Sequence, residues 1–166
     1  MNKIGKIVFV LTSVLLSYTC VAQIDTVRIR IAGLTCSSCS KSVEEKLIQI
    51  SFVKTIKMNL NNNEAIILVD FSKNVNWNVL TKAVVNAGFS VGTFTVPACT
   101  SQISMMNAIS CKENYFYIGP HSDIVRDRYT IIGKNFMDKK TYTVWLQKIV
   151  AQGYPDPKSV SYYYYY

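Results

Sequence analysis

Histidine is almost absent: a single imidazole, His121, serves all 166 residues. No glycine-rich phosphate loop and no Ser-His-Asp constellation occurs either, so hydrolase and transferase chemistry lack their parts. Scattered acids such as Asp123, Asp127 and Asp138 read as solvated faces, not as paired general acids. Lysine and arginine number 18 against 10 aspartates and glutamates, yet no run of five or six basic residues gathers. A nucleic-acid-binding stripe therefore has no support, and the excess reads as a mildly cationic surface facing an anionic envelope. Charged residues are sparse at 17% while hydrophobic residues reach 49%, which excludes intrinsic disorder for most of the chain. The length suits one domain, or one small domain with an appendage, and excludes a large multi-domain enzyme. Five cysteines are too few for a disulfide-dense scaffold, so each is read by its position.

Long apolar runs are missing as well. Ile7 to Leu16, broken only by Thr12 and Ser13, is too short to span ~30 Å of hydrocarbon comfortably, and no stable transmembrane anchor is expected. Lys3 and Lys6 precede the run and the small residues of Cys20-Val21-Ala22 follow it. This is the pattern of a signal peptide over residues 1–22, with export to the periplasm or cell envelope and a mature chain from Gln23. Lipoprotein anchoring at Cys20 is the weaker alternative, because the bulky Tyr18 stands where small residues are wanted.

The mature chain begins with a period-two pattern. Val27, Ile29 and Ile31 alternate with Arg28 and Arg30 until Gly33 breaks the strand. From Ser38 the spacing changes to three and four: Cys39, Val43, Leu47 and Ile50 line one side, Lys41, Glu44, Glu45 and Lys46 the other, and serines stand ready to cap. Ile56, Met58 and Leu60 mark a second strand, Asn61-Asn62-Asn63 a hairpin turn, and Ile67, Val69 and Phe71 the return strand. Trp77, Leu80, Val84 and Ala87 form a second helical stripe closed by Gly88, and Phe89 to Val96 a last β-rich run stopped by Pro97. This order predicts an α+β fold, a ferredoxin-like βαββαβ sandwich, over residues 23–97.

Cys36 and Cys39 fall where the first strand meets the first helix. Two intervening residues let both sulfurs converge, and the free N–H groups and positive dipole end of the helix favour thiolate there. Two soft thiolates without carboxylate or imidazole select soft ions, Cu(I) foremost. Zn(II) prefers four ligands, and this domain offers two.

The run Gly33-Leu34-Thr35-Cys36-Ser37-Ser38-Cys39, on the first loop of a split βαβ pair, resembles the heavy-metal-associated (HMA) domain. That domain occurs in copper chaperones, metal-transporting ATPase amino termini and periplasmic mercury-binding proteins. The resemblance covers residues 26–96 and implies metal ligands at Cys36 and Cys39. It implies Cu(I) as cargo with Hg(II), Ag(I) and Zn(II) open, no enzymatic activity, and a metal-transporting membrane protein or another metal acceptor as partner. Leu34 stands where the family usually has Met and is expected to pack under the loop as a volume-conserving swap. Asn86-Ala87-Gly88-Phe89 resembles the family's later loop, which implies that Phe89 shields the metal. Two other readings of the cysteine pair stay open, an inert structural disulfide in a module without metal duty and a dithiol redox centre. Against the redox centre, no aromatic precedes Cys36.

Residues 98–161 are expected to form a small C-terminal β-β-α appendage of unknown role. Tyr115–Ile118 and Tyr129–Ile132 read as strands, and Lys140–Ala151, with Val144, Ile149 and Val150 near Trp145, as a helix ended by Gly153 and Pro155. Cys99 and Cys111 are expected to pair as a disulfide; the sharper alternative adds Met105, Met106 and His121 as soft ligands. The run Tyr162–Tyr166 has no apolar periodicity and is expected to be a disordered tail.

Overall fold

The computed structural model describes residues 26–97, 115–118, 128–154 and 162–165. The predicted signal peptide, Cys20, Cys99, Cys111, Met105, Met106 and His121 lie outside them. The first four strands are β1 (Thr26–Ala32), β2 (Val53–Asn59), β3 (Glu64–Val69) and β4 (Ser90–Pro97), with helices α1 (Ser37–Leu47) and α2 (Trp77–Asn86) between them. The strands stand in the order β2-β3-β1-β4, each pair antiparallel, which is the ferredoxin-like arrangement expected.

One face of this sheet carries the alternating set Val27, Ile29, Ile31, Ala65, Ile67, Val69, Phe94 and Val96, all buried against Val43 and Leu47 of α1 and Trp77, Leu80 and Val84 of α2. Alternation forces the inward residues onto one side because successive strand side chains point opposite ways. Leu60, expected on β2, lies in the turn beyond it and is 44% exposed, because the strand stops at Asn59. Helix α2 ends as its sequence suggests: Gly88 takes φ +90°, and the N–H groups of Gly88 and Phe89 donate to the carbonyls of Val85 and Val84. Those two bonds close the last turn in a Schellman motif.

Three further strands extend the same sheet beyond β4: β6 (Arg128–Ile132), then β7 (Tyr162–Tyr165), then β5 (Tyr115–Tyr117) at the edge. The expected appendage is thus a continuation of the first sheet. Its helix α3 (Lys139–Ala151) follows β6. Adjacent residues of β6 divide between two cores, Ile131 joining the first and Ile132 a second made with Ile118, Met137, Ile149 and Tyr163. Neighbouring strand residues face opposite sides, so α3 packs on the face of the sheet opposite α1 and α2. Its inward side is Tyr142, Trp145 and Ile149; Val144 and Val150, expected there, are 49% and 70% exposed because they fall off that stripe.

The tyrosine run corrects a second expectation. Tyr162–Tyr165 is a strand paired antiparallel with β6 and parallel with β5. Tyr163 and Tyr165 face the second core, while the ring of Tyr164 packs against Tyr129 with centroids 4.7 Å apart and planes inclined by 58°. Aromatic side chains favour strands, and here a waiting pair of edges supplies the partners that the sequence alone does not show.

Side chains reinforce the β4–β6 pairing that joins the halves. Rings run from Phe71 through Trp77 and Phe94 to Phe136, with centroid spacings of 6.2, 5.9 and 5.1 Å. Each such pair contributes ~0.5–1.5 kcal/mol beyond its buried area. Arg128 donates from its guanidinium to the carbonyl and the hydroxyl of Thr26, both at 2.8 Å, which joins β6 to the start of β1.

Candidate metal site

Strand β1 ends at Ala32, and Gly33 turns the chain with φ +85°, a conformation that costs an L side chain strain. The turn drops Leu34 into the core, fully buried, as expected for a side chain packing under the loop. Thr35 then donates its N–H to the Gly33 carbonyl at 3.0 Å, and the chain rises to Cys36 in extended geometry, φ −139° and ψ 158°.

Cys36 itself is the N-cap of α1. Its Sγ accepts from the Cys39 N–H at 3.1 Å, and its carbonyl accepts from the Ser40 N–H at 3.1 Å. The sequence offered serines for capping; the position before the first helical residue belongs instead to Cys36, whose sulfur replaces the usual hydroxyl oxygen. Ser38 Oγ lies 3.1 Å from the same sulfur, and buried Ser40 returns its hydroxyl to the Ser37 carbonyl at 2.8 Å.

Both cysteines are half-buried, Cys39 against the core and Cys36 toward solvent. They are joined as a disulfide, with Cα atoms 5.2 Å apart. The predicted ligands are thus brought together, and in the oxidised form: two electrons and two protons convert it to the dithiol that a metal ion requires. No acidic residue stands in the first turn of α1, so no carboxylate competes there for the positive end of the helix. Among the described residues no group of three or more His, Cys, Asp or Glu side chains gathers to hold a metal. A two-sulfur site suits a soft ion better than one demanding four ligands.

Phe89, expected as a shield, stands at the Gly33 end of the loop. A Cβ built on Gly33 would lie 3.8 Å from Phe89 Cδ1. Asn63 is the residue that sequence reasoning missed. It sits at the hairpin turn with φ +51°, and its carbonyl accepts from the Ile31 N–H at 2.7 Å. With its amide nitrogen turned toward them, its side chain donates to the carbonyls of Leu34 at 2.6 Å and Leu60 at 3.1 Å. The triple asparagine signalled a turn; nothing in it signalled which loop the turn would touch.

Residues 28–90 match the family model of the heavy-metal-associated domain. This stretch of the chain is a heavy-metal-associated domain. Both cysteines lie within it, and strands β5 to β7 and helix α3 lie beyond its end. Among solved structures the chain is similar to the CopZ metallochaperone, at 27% identity over 40% of this chain and 97% of that one, with a TM-score of 0.38. It is also similar to oxidised MerP from Ralstonia metallidurans CH34, at 29% identity over 40% and 93% of the two chains, with a TM-score of 0.36. A copper-binding domain from HMA7, a P-type ATPase, shares 26% identity over 40% and 88%, with a TM-score of 0.36. A comparison with curated proteins finds no match. No helix among the described residues is long and apolar enough to cross a membrane.

Proposed function

We propose that this chain is an exported carrier of a soft metal ion, held between Cys36 and Cys39 and released by thiolate exchange. The observation that carries the reading is the convergence of two half-exposed sulfurs on the first turn of α1, inside a heavy-metal-associated domain. Cu(I) is the cargo best matched to two thiolates; Ag(I) and Hg(II) share that preference, and Zn(II) would need ligands from outside the domain. The work is sequestration or delivery, with a metal-transporting membrane protein or another acceptor receiving the ion. No turnover is assigned, since the chemistry is ligand exchange. Export over residues 1–22 belongs to the same proposal and accounts for a site that rests as a disulfide when no ion is bound.

Anaerobic titration of the reduced chain against a Cu(I)-chelating dye, beside the Cys36→Ser/Cys39→Ser double variant, tests this. The wild-type chain should withdraw one Cu(I) that the variant leaves with the dye; equal uptake by both removes the site. The disulfide itself favours one second reading, a dithiol redox protein. A slow, strongly reducing couple in exchange with glutathione would speak against that role.

A further inference from the structure

Asn63 stands at the tip of the β2–β3 hairpin, yet two of its contacts reach the opposite side of the cysteine loop. Its carbonyl accepts from the N–H of Ile31, near the end of β1, at 2.7 Å, and its amide, oriented with the nitrogen toward the loop, donates to the carbonyl of Leu34 at 2.6 Å. Between those two points lie only Ala32 and Gly33, so one residue clamps both ends of the turn that leads to Cys36. A third bond, to the Leu60 carbonyl at 3.1 Å, anchors the amide to its own hairpin. The left-handed backbone at Asn63 suits asparagine, which tolerates it better than most L residues.

We infer that Asn63 is a positioning residue for the sulfur pair. Both a disulfide and a two-coordinate ion require the sulfurs to converge, whereas the free dithiol does not. Fixing the Leu34 carbonyl restricts the approach of the chain to Cys36 before either bond forms, and so favours both closed forms over the open one by the same amount. For its cargo this inference rests on the carrier reading above; for the sulfur pair it rests on the loop geometry alone.

Three variants of the full chain test it. Asn63→Gly keeps the left-handed turn and deletes the amide. Asn63→Asp keeps the size but turns a carboxylate oxygen toward two carbonyls. Asn62→Asp brings the same charge to the same turn and leaves Asn63 in place. Each is equilibrated in glutathione buffers, where the Cys36–Cys39 disulfide becomes two thiols as two glutathiones become one glutathione disulfide. Loss of a hydrogen bond of ordinary net strength should move the Asn63 variants about three- to tenfold toward the dithiol. Tenfold corresponds to ~30 mV in the couple. Cu(I) retention against the chelating dye should fall by the same factor, and Asn62→Asp should match the wild type in both.

Wild-type equilibria in both Asn63 variants would overturn the inference, even if their melting temperatures fall, since that is a purely structural role. An equal shift in Asn62→Asp would also overturn it, by assigning the effect to charge. If the wild-type chain takes up no more Cu(I) than the double serine variant, the carrier reading fails, and the glutathione equilibrium still decides the role of Asn63.

Discussion

Single residues set the cysteine loop. Gly33 was legible as a strand breaker, and its φ of +85° shows why a side chain is disfavoured there: the strain would lie in the backbone, since the nearest atom to an added Cβ is in ordinary contact at 3.8 Å. Gly33→Ala should therefore cost about 1–2 kcal/mol in urea unfolding, and an unchanged midpoint would contradict the turn. The capping role of Cys36 was hidden by the serines around it, because a cap is defined by backbone position and not by residue type. It yields a second test in the reduced chain. Cys36→Ser retains an acceptor for the Cys39 N–H, so Cys36→Ala should be less stable than Cys36→Ser by about 1 kcal/mol. Equal stability would show that the sulfur does not cap. The clamp made by Asn63 was not legible, since its partner carbonyl belongs to a loop far along the chain.

At the scale of elements, alternation revealed β1 and β3, whose buried residues fall on every second position, and helical spacing revealed α1 and α2, whose buried residues share one side. The second half resisted such reading. A homopolymer of tyrosine has no alternation to detect, although Tyr163 and Tyr164 face opposite sides of the sheet once β7 is paired. Tyr163 is 4% exposed in the core with Ile132 and Ile149. Tyr163→Ala should cost about 3 kcal/mol by analogy with other large aromatic truncations. A melting curve indistinguishable from wild type would mean that the tyrosine strand is not docked. The faces of α3 were misassigned for a related reason: Val144 and Val150 are apolar but point outward, and Tyr142 and Trp145 cover the core.

At the scale of the molecule, seven strands among the described residues share one sheet while helices cover opposite faces at its two ends. The pairing of β4 with β6 that unites them is long-range and leaves no local pattern, which is why residues 98–161 read as an appendage. Acid should test this assembly through two carboxylates. The Ser72 hydroxyl, at 2.6 Å, and then its backbone N–H, Lys54 and Lys73 hold Asp70 below the usual carboxylate range, against a partial burial that raises it. The side chain and then the N–H of Thr141, capped by Asp138, do the same for that residue. Both pKa values are lower in the folded chain than in the unfolded one, so their stabilisation is fully present above the unfolded value near pH 4 and is lost as pH falls through the folded values. Urea midpoints should drop below pH 4, and Asp138→Asn should flatten part of that drop; an identical acid limb in the variant would contradict the assignment. The reading of the molecule as a carrier turns on what surrounds the ion. X-ray absorption at the copper edge, on the reduced chain loaded anaerobically with one equivalent of Cu(I) in thiol-free buffer, counts those neighbours directly. The expected result is two sulfur neighbours that vanish in the Cys36→Ser/Cys39→Ser variant; a shell of nitrogen or oxygen, or a spectrum the variant leaves unchanged, would contradict it.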